Sequence, residues 1–436
     1  MTDSKERKIL YPPFAAHVEV MRPSPLRHFR QIANRRTMEG GDLDIAFHAE
    51  IGNNRLRTSL NTELLQAFGS LSPDDLCYSE SDGLPALKEA WIPNFCPGAR
   101  PEELFIDEGI TGLLKRIART YAGCGCLAFG PTYPNMIGIC RDMGMNLYNW
   151  ARLPQNDWAY PEKPELAKLI DGYQVGLLYL QPHSNPDGLV MSENVWDMMM
   201  ELALEHRLIV ISDEPYPHTN YGGLPTRSVT YYDDPSTRKR WIHLSGMSKV
   251  LECGLRLGAA YVPNRILQDK LAMGLQRDLS GPTPCAVAAA SVLANSERFG
   301  QHLTELRDKA RHHRDILLES LAALDPECFT VHTPQSSYYV PVTIEGNGNG
   351  ASFAEFCAKH GKFQDSRGRK ATVVISPIRP CYDGVEHTPC RMTAQTVHQS
   401  VGHSEFRLTF CYLDVDDLKE IGPGLQEIYG QYVKTL

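Results

Sequence analysis

Short apolar runs alternate with segments of helical periodicity through the middle of the chain, from about residue 60 to residue 290. The predicted strands are Leu104–Ile106, Cys126–Phe129, Val175–Leu180, Leu208–Ile211, Ile242–Leu244 and Gly258–Val262. The predicted helices between them are Leu84–Trp91, Leu113–Tyr121, Asn135–Asp142 and Val195–His206. Strands that are apolar on both faces and are joined by helices form parallel sheets. We therefore predict an α/β domain with a mostly parallel sheet over residues 61–290.

The two ends of the chain differ from this middle part. Residues 1–60 predict an irregular N-terminal arm that contributes to a smaller domain and contains one short helical stretch, Leu26–Asn34. A long amphipathic helix over about Glu297–Ala323 begins a smaller α+β domain, residues 291–436. The stretch Pro377–Ser404 predicts an irregular excursion of unusual length, either a lid over the site or, less in keeping with its spacings, a metal site.

Composition narrows the class of protein. A chain of 436 residues exceeds what one hydrophobic core usually supports, so two domains are expected. The net charge of −8 argues against a nucleic-acid surface, and no apolar run reaches the length of a membrane span. The twelve cysteines are scattered and follow no secretory signal, which predicts a reducing, cytoplasmic setting. Cys124 and Cys126 allow redox or metal chemistry, but burial beside a strand is the commoner role.

Polar residues follow three of the predicted strands. Asn185 lies in the turn after Val175–Leu180, Asp213 and Tyr216 follow the next strand, and Lys249 follows Ile242–Leu244. Each alone has an ordinary explanation, since an aspartate after a strand is often a helix cap and a lysine is usually solvated. Ligands of open α/β sheets bind beyond the carboxyl ends of the strands. The order and spacing of these residues therefore indicate one site.

Taken in chain order, these segments resemble the class I/II aminotransferase family of fold-type-I pyridoxal-phosphate-dependent enzymes. The matching elements are Tyr78, Gly83-Leu84-Pro85, Gly109-Ile110-Thr111, Pro131-Thr132-Tyr133-Pro134, Asn185-Pro186-Asp187-Gly188, Asp213 with Tyr216, Ser248-Lys249, Arg256 and Arg407. The resemblance runs from about Gly52 to the C-terminus. It implies a mostly parallel sheet of the seven-stranded type, pyridoxal 5′-phosphate as cofactor, and a homodimer with shared active sites. The implied reaction moves an amino group from an L-amino acid to a 2-oxo acid.

The resemblance also assigns roles around the cofactor ring. Lys249 would carry the cofactor as a Schiff base, the internal aldimine, and then shuttle the Cα proton. Asp213 would face the pyridine nitrogen and keep it protonated. Asn185 and Tyr216 would hydrogen-bond the phenolate oxygen of the ring, and Tyr133 would stack on its face.

A second group of residues would bind the phosphate. The backbone N–H groups of Gly109–Thr111 open a helix and form an anion site, and Arg256 would add a bidentate partner. Either Ser245 or Ser248 would supply a hydroxyl, and the sequence does not decide between them. By resemblance, Tyr78 would reach the phosphate of the neighbouring subunit.

The substrate would meet Arg407 and Asn185, with Arg407 holding the α-carboxylate. Two spacings depart from the family: Gly246 stands where most members have a serine, and Arg256 follows Lys249 by seven positions instead of eight. His183 offers either an acid or base at the cofactor edge or a packed turn residue. Arg22, Arg55 and Arg57 would favour an acidic substrate unless they are solvated.

The predicted cofactor-binding residues are compatible with more than one type of reaction. The first hypothesis is transamination. The alternative keeps the cofactor but makes the protein a lyase, cyclase, γ-replacement enzyme or oxidase of specialised amino-acid metabolism. A regulatory or binding module on the same domain would be expected to lack Lys249, Asp213 or Arg256, and all three are present.

Overall fold

The computed structural model describes residues 25–228, 234–278, 281–346, 348–383 and 401–436. The strands in this part of the chain are β1 (Ile45–His48), β2 (Leu104–Glu108), β3 (Gly125–Gly130), β4 (Asn146–Ala151), β5 (Val175–Leu180), β6 (Ile209–Asp213), β7 (Trp241–Gly246), β8 (Leu257–Tyr261), β9 (Phe329–Val331), β10 (Tyr339–Ile344), β11 (Phe363–Gln364), β12 (Lys370–Val374), β13 (Ser376–Pro377) and β14 (Glu405–Thr409). The helices are α1 (Pro25–Arg36), α2 (Ser59–Gly69), α3 (Pro85–Phe95), α4 (Gly109–Thr120), α5 (Pro134–Met143), α6 (Lys163–Gly172), α7 (Glu193–Glu205), α8 (Pro235–Arg238), α9 (Met247–Val250), α10 (Arg265–Asp278), α11 (Thr283–Leu293), α12 (Ser296–Leu321), α13 (Gly350–Lys359), α14 (Val415–Lys419) and α15 (Ile421–Val433).

The largest sheet has seven strands in the order β2-β8-β7-β6-β5-β3-β4. Strands β4, β3, β5, β6 and β7 pair in parallel, whereas β8 runs antiparallel to both β7 and β2. The predicted mostly parallel sheet is confirmed. Strand β4 was not predicted, because Asn146 and Asn149 interrupt its apolar pattern and the strand lies half-buried at the sheet edge.

Both faces of this sheet are covered, which is why its strands are apolar throughout. In β5, Leu178 and Leu180 pack into the core on one face, together with helices α3, α7 and α11. Leu177 and Tyr179, which alternate with them, pack into the core on the other face with helices α4, α5 and α10. With both faces buried, the carboxyl ends of the strands remain as the place for a ligand.

Two smaller sheets are built from both ends of the chain. One has the order β1-β12-β11, with β1 parallel to β12, and the other is antiparallel with the order β13-β14-β10-β9. Phe47 of β1, Leu306 of α12, Val373 of β12 and Leu425 of α15 belong to one core. Residues 1–60 were predicted as an irregular arm. Within the described part of this arm, the strand β1 was not predicted, because a run of four residues is too short to show the pattern of a strand.

The long helix α12 agrees closely with its predicted bounds. The predicted excursion begins with β13 and a short helical turn at Arg379–Tyr382, and residues 384–400 lie outside the described residues, with His387, Cys390 and His398 among them. None of the helices in the described ranges combines the length and apolar character that a membrane crossing needs.

Candidate active site

A cavity of about 290 Å³ lies at the carboxyl ends of the parallel strands, where they meet the two smaller sheets. Ten of the predicted site residues line it: Ile110, Thr111, Tyr133, Asn185, Asp213, Tyr216, Ser248, Lys249, Arg256 and Arg407. Residues from seven separate segments of the chain therefore meet at one point. The cavity is where sequence reasoning expected the chemistry.

Lys249 follows β7 in the short helix α9, and hydrogen bonds from two other side chains hold its backbone carbonyl group in place. Its carbonyl oxygen accepts hydrogen bonds from Nδ2 of Asn54 at 3.1 Å and from the hydroxyl of Tyr338 at 2.9 Å. Its Nζ donates to the carbonyl oxygen of Gly52 and lies 5.8 Å from the centroid of the Tyr216 ring. The amine is thus held inside the cavity by a neutral acceptor.

Asp213 ends β6 and is 3% exposed. The hydroxyl of Tyr179 donates to its Oδ2, while Oδ1 is buried without a hydrogen-bond partner among the described residues. Burial raises the pKa of Asp213 to about 6; the hydrogen bond from Tyr179 opposes this, and the nearby Glu214 adds to it. A buried carboxylate with one free oxygen favours a cationic N–H donor in the cavity.

Arg407 lies in the middle of β14 and is 6% exposed. Its Nη1 donates to Oδ1 of Asn185, and its guanidinium lies over the ring of Tyr339, 4.1 Å from the centroid. No carboxylate of the described residues pairs with it. A buried guanidinium without a counter-ion is suited to an anionic group of a ligand.

Tyr216 and Tyr339 line the cavity from opposite parts of the chain. Tyr216 is 1% exposed, and its hydroxyl lies 3.2 Å from that of Tyr339. Burial raises the pKa of Tyr216 well above its usual range, and Tyr339 adds to the shift. Tyr216 is therefore protonated, and its hydroxyl is available as a hydrogen-bond donor.

The start of α4 lies beside Arg256, an arrangement that is suited to an anion. Gly109 has a φ of +70°, and a Cβ on Gly258 would lie 2.5 Å from the carbonyl carbon of Gly109, so glycine at 258 permits this close approach. Nη2 of Arg256 reaches the carbonyl oxygen of Glu108 at 3.4 Å, and no carboxylate within the described ranges pairs with its guanidinium. Backbone N–H groups and a free guanidinium together fit a phosphate.

The two candidate serines line different cavities. Ser248 lines the first cavity. Ser245 accepts a hydrogen bond from Nε1 of Trp91 at 2.9 Å and lines a second cavity of about 220 Å³. This geometry favours Ser248 as the hydroxyl of the phosphate site and argues against Ser245.

His183 also lies in the second cavity, not in the first. Its two ring nitrogens are buried without hydrogen-bond partners in the described chain, and burial lowers its pKa to about 4. It is therefore a neutral packed residue of the turn, and the idea of an acid or base at the cofactor edge is not supported. Tyr78 also lies outside the first cavity; its side chain is 81% exposed on the surface.

Two arginines that had suggested an acidic substrate lie outside the first cavity. The guanidinium of Arg55 stacks 3.8 Å from the ring centroid of Tyr412, and Arg57 pairs with Glu252 at 3.1 Å. Arg22 is outside the described residues. Sequence reasoning missed Glu50, Gly52 and Tyr339 as lining residues, because they come from the small sheets and follow no recognisable motif.

The arrangement fits the expected cofactor on its own geometry. Asp213 offers a free oxygen, Lys249 offers an amine, and the start of α4 with Arg256 offers a phosphate cradle. These are the groups that a phosphorylated pyridine aldehyde requires.

Comparison with known proteins agrees with this geometry. The profile of the family described as “Aminotransferase class I and II” matches residues 55–402. The chain belongs to this family. As a member, it is a pyridoxal-phosphate-dependent transferase of the aminotransferase type. Relatives named as aminotransferases, among them those of Thermus aquaticus and Geobacillus stearothermophilus, favour the first hypothesis over the lyase alternative.

Several relatives are similar over much of the chain. A protein of Thermus aquaticus named “Probable aspartate/prephenate aminotransferase” is 25% identical over 60% of this chain and 68% of its own length. The aspartate aminotransferase of Geobacillus stearothermophilus is 24% identical over 70% of this chain and 78% of its own. The solved kynurenine aminotransferase of Pyrococcus horikoshii shares the fold, with a TM-score of 0.77, 21% identity, and coverage of 96% of this chain and 97% of that one. The predicted fold type is thereby confirmed.

Proposed function

We propose that this protein transfers the α-amino group of an L-amino acid to a 2-oxo acid, with pyridoxal 5′-phosphate as its cofactor. The observation that carries the proposal is that Lys249 and Asp213 line the same cavity, and that Oδ1 of Asp213 has no hydrogen-bond partner in the described part of the chain. Two relatives of the same fold support the choice of cofactor, because their structures contain PMP or N-(5′-phosphopyridoxyl)-L-leucine.

When bound, pyridoxal phosphate supplies an aldehyde that bonds covalently to amines and a ring that stabilises negative charge at the substrate Cα. Lys249 would hold the cofactor through Nζ and, once released, take the proton from the substrate Cα and return it elsewhere. Oδ1 of Asp213 would accept a hydrogen bond from the ring nitrogen and keep that nitrogen protonated. Tyr216 would donate to the ring oxygen, with Asn185 beside it.

The remaining roles concern binding and orientation. The backbone N–H groups of Gly109–Thr111, the guanidinium of Arg256 and the hydroxyl of Ser248 would hold the phosphate. Tyr133 would cover one face of the ring and exclude water from it. Arg407 would pair with the substrate α-carboxylate and orient its Cα towards Lys249.

We further propose a homodimer in which Tyr78 completes the phosphate site of the partner. Its exposure of 81% supports this, because an exposed tyrosine ring is suited to a subunit interface. The cytoplasmic location remains a prediction. A Tyr78→Phe variant should keep the dimer mass in sedimentation but bind the cofactor more weakly, and an unchanged affinity would remove Tyr78 from the site.

The test of the reaction is a panel of L-amino acids and 2-oxo acids. An amino acid that is a substrate should change the absorbance of the bound cofactor, and a 2-oxo acid should reverse that change while a new amino acid appears. Release of ammonia, uptake of oxygen, or an absorbance change that no 2-oxo acid reverses would contradict transamination.

A further inference from the structure

Glu50 is an acidic residue of the cavity that the proposed chemistry does not use. It follows β1, is 4% exposed, and lines the cavity together with Lys249 and Arg407. Nδ1 of His48 lies 3.0 Å from its Oε1. Its Oε2 is buried and has no hydrogen-bond partner in the described part of the chain. A buried carboxylate oxygen in this state needs a donor.

Among the charged groups on the cavity wall, none is assigned to Glu50, whose partner His48 is not a lining residue. The ionisable lysine, arginine, aspartate and glutamate side chains on its wall are Glu50, Asp213, Lys249, Arg256 and Arg407. The proposed function gives Lys249 to the cofactor aldehyde, Arg256 to the phosphate and Arg407 to the α-carboxylate. Within the described ranges, no lining lysine or arginine remains for a second carboxylate of the substrate.

Glu50 belongs to the same short segment of the cavity wall as the acceptor of the Lys249 amine. It lies two residues before Gly52, whose carbonyl oxygen accepts from Nζ of Lys249. Because each residue of extended chain spans at most about 3.6 Å, the Cα atoms of Glu50 and Gly52 are no more than ~7 Å apart. We therefore expect a substrate bound beside Lys249 to meet this segment of the wall.

We propose that Glu50 is a specificity residue that selects amino acids with a positively charged side chain, an ammonium or a guanidinium. This inference rests on the proposed transamination and names its substrate class. A cationic group would satisfy Oε2 with a charge-assisted hydrogen bond, whereas the second carboxylate of aspartate or glutamate would meet a like charge. Specificity here comes from both the attraction and the repulsion.

The experiment compares kcat/KM of the cofactor-loaded protein for matched pairs of substrates. L-lysine is paired with L-norleucine, L-arginine with L-citrulline, and L-aspartate and L-glutamate complete the panel. We expect the cationic member of at least one pair to be favoured at least tenfold, and the dicarboxylates to be the poorest substrates. Glu50→Gln should reduce that preference to less than threefold, because the amide keeps the shape but loses the charge.

The matched control is Glu89→Gln, an exposed residue of α3 that removes the same charge away from the cavity and should leave the preference unchanged. Calorimetric titration of the same amino acids gives dissociation constants that should show the same ratios. A wild-type preference for dicarboxylates or for the neutral members, or an unchanged ratio in a folded Glu50→Gln, would overturn the inference alone. If no amino acid changes the cofactor absorbance, the proposed function fails, and the inference fails with it.

Discussion

Replacing Asp213 by asparagine should have opposite effects on the protein with and without its cofactor. Without cofactor, Oδ1 of Asp213 is buried and has no donor in the described structure, so burial raises the pKa of this carboxyl to about 6. The side chain keeps its shape in Asp213→Asn but loses the charge. With cofactor, the carboxylate gains the ring N–H as a partner, and the asparagine variant loses that pairing.

The magnitude follows from the shift of the Asp213 pKa. The unfolded chain ionises near 3.8 and the folded, cofactor-free protein near 6, which is about two units. Since one unit corresponds to 1.36 kcal/mol, the difference amounts to about 3 kcal/mol. The folded pKa is raised, so this stability is present below pH 3.8 and is lost as the pH rises to about 6. Asp213→Asn does not undergo this loss.

The assay is urea unfolding of both proteins, each with and without cofactor, between pH 4 and pH 8. Taking the difference between variant and wild type cancels the other titrating groups. Without cofactor the variant should become the more stable protein as the pH rises to 6, by up to about 3 kcal/mol. Cofactor affinity should instead fall in the variant by roughly 10- to 150-fold, the value of a charge-assisted hydrogen bond.

The two effects have opposite signs only if Asp213 is an unpaired buried carboxylate that also meets the ring nitrogen of the cofactor. If the variant were less stable than the wild type without cofactor at pH 7, the carboxylate would not be an unpaired buried charge. If the cofactor bound equally well to both, Asp213 would not face the ring nitrogen. A uniform loss in all four measurements would indicate a packing defect only.

Three further changes test the rest of the site. Lys249→Ala should lose the cofactor adduct that borohydride fixes to the wild-type chain, as measured by mass spectrometry, and a retained adduct would move the attachment to another residue. Arg407→Ala should lower kcat/KM by roughly 30-fold or more, because removing a buried partner of a charged group costs about 2–5 kcal/mol. The matched control is Arg55→Ala, which alters a stacked arginine outside the cavity. Equal effects of the two substitutions on kcat/KM would refute the role of Arg407. Ser248→Ala should weaken cofactor binding about tenfold, as expected for a hydrogen bond to a charged group. Ser245→Ala should leave the cofactor affinity unchanged and lower the free energy of unfolding by about 1–3 kcal/mol, because Nε1 of Trp91 loses its acceptor. The reverse result would assign the phosphate-binding hydroxyl to Ser245.

The sequence predicts the large sheet well because the pattern that marks each strand lies within the strand itself. Each buried strand is a short apolar run, and Asp213, Lys249 and Asn185 come at or after the ends of such runs, so these three residues could be placed at one edge before any coordinates were known. The choice between Ser245 and Ser248 could not be made in this way. It depends on which cavity each residue lines: Ser245 belongs to β7 and lines the second cavity, whereas Ser248 belongs to α9 and lines the first.

The residues that sequence reasoning missed share a physical cause. Glu50 and Gly52 reach the cavity only because β1 pairs with β12, more than 300 positions later in the chain. Tyr339 reaches it from the start of β10, whose partner β14 carries Arg407. Long-range strand pairing of this kind leaves no periodic trace in either segment. The prediction of an irregular N-terminal arm failed at β1 for the same reason.

The distribution of charge explains why these missed residues matter. The described wall of the cavity holds two guanidinium groups without carboxylate partners and two carboxylate oxygens without donors, on Asp213 and Glu50. Unpaired buried polar groups lower stability, so a fold retains them where a ligand pairs with them. Under the proposed function, the cofactor would pair with Asp213 and Arg256, and the α-carboxylate of the substrate would pair with Arg407. Oε2 of Glu50 would then be left for the substrate side chain, so that a residue beside the small sheets, and not a motif of the large one, would select that side chain.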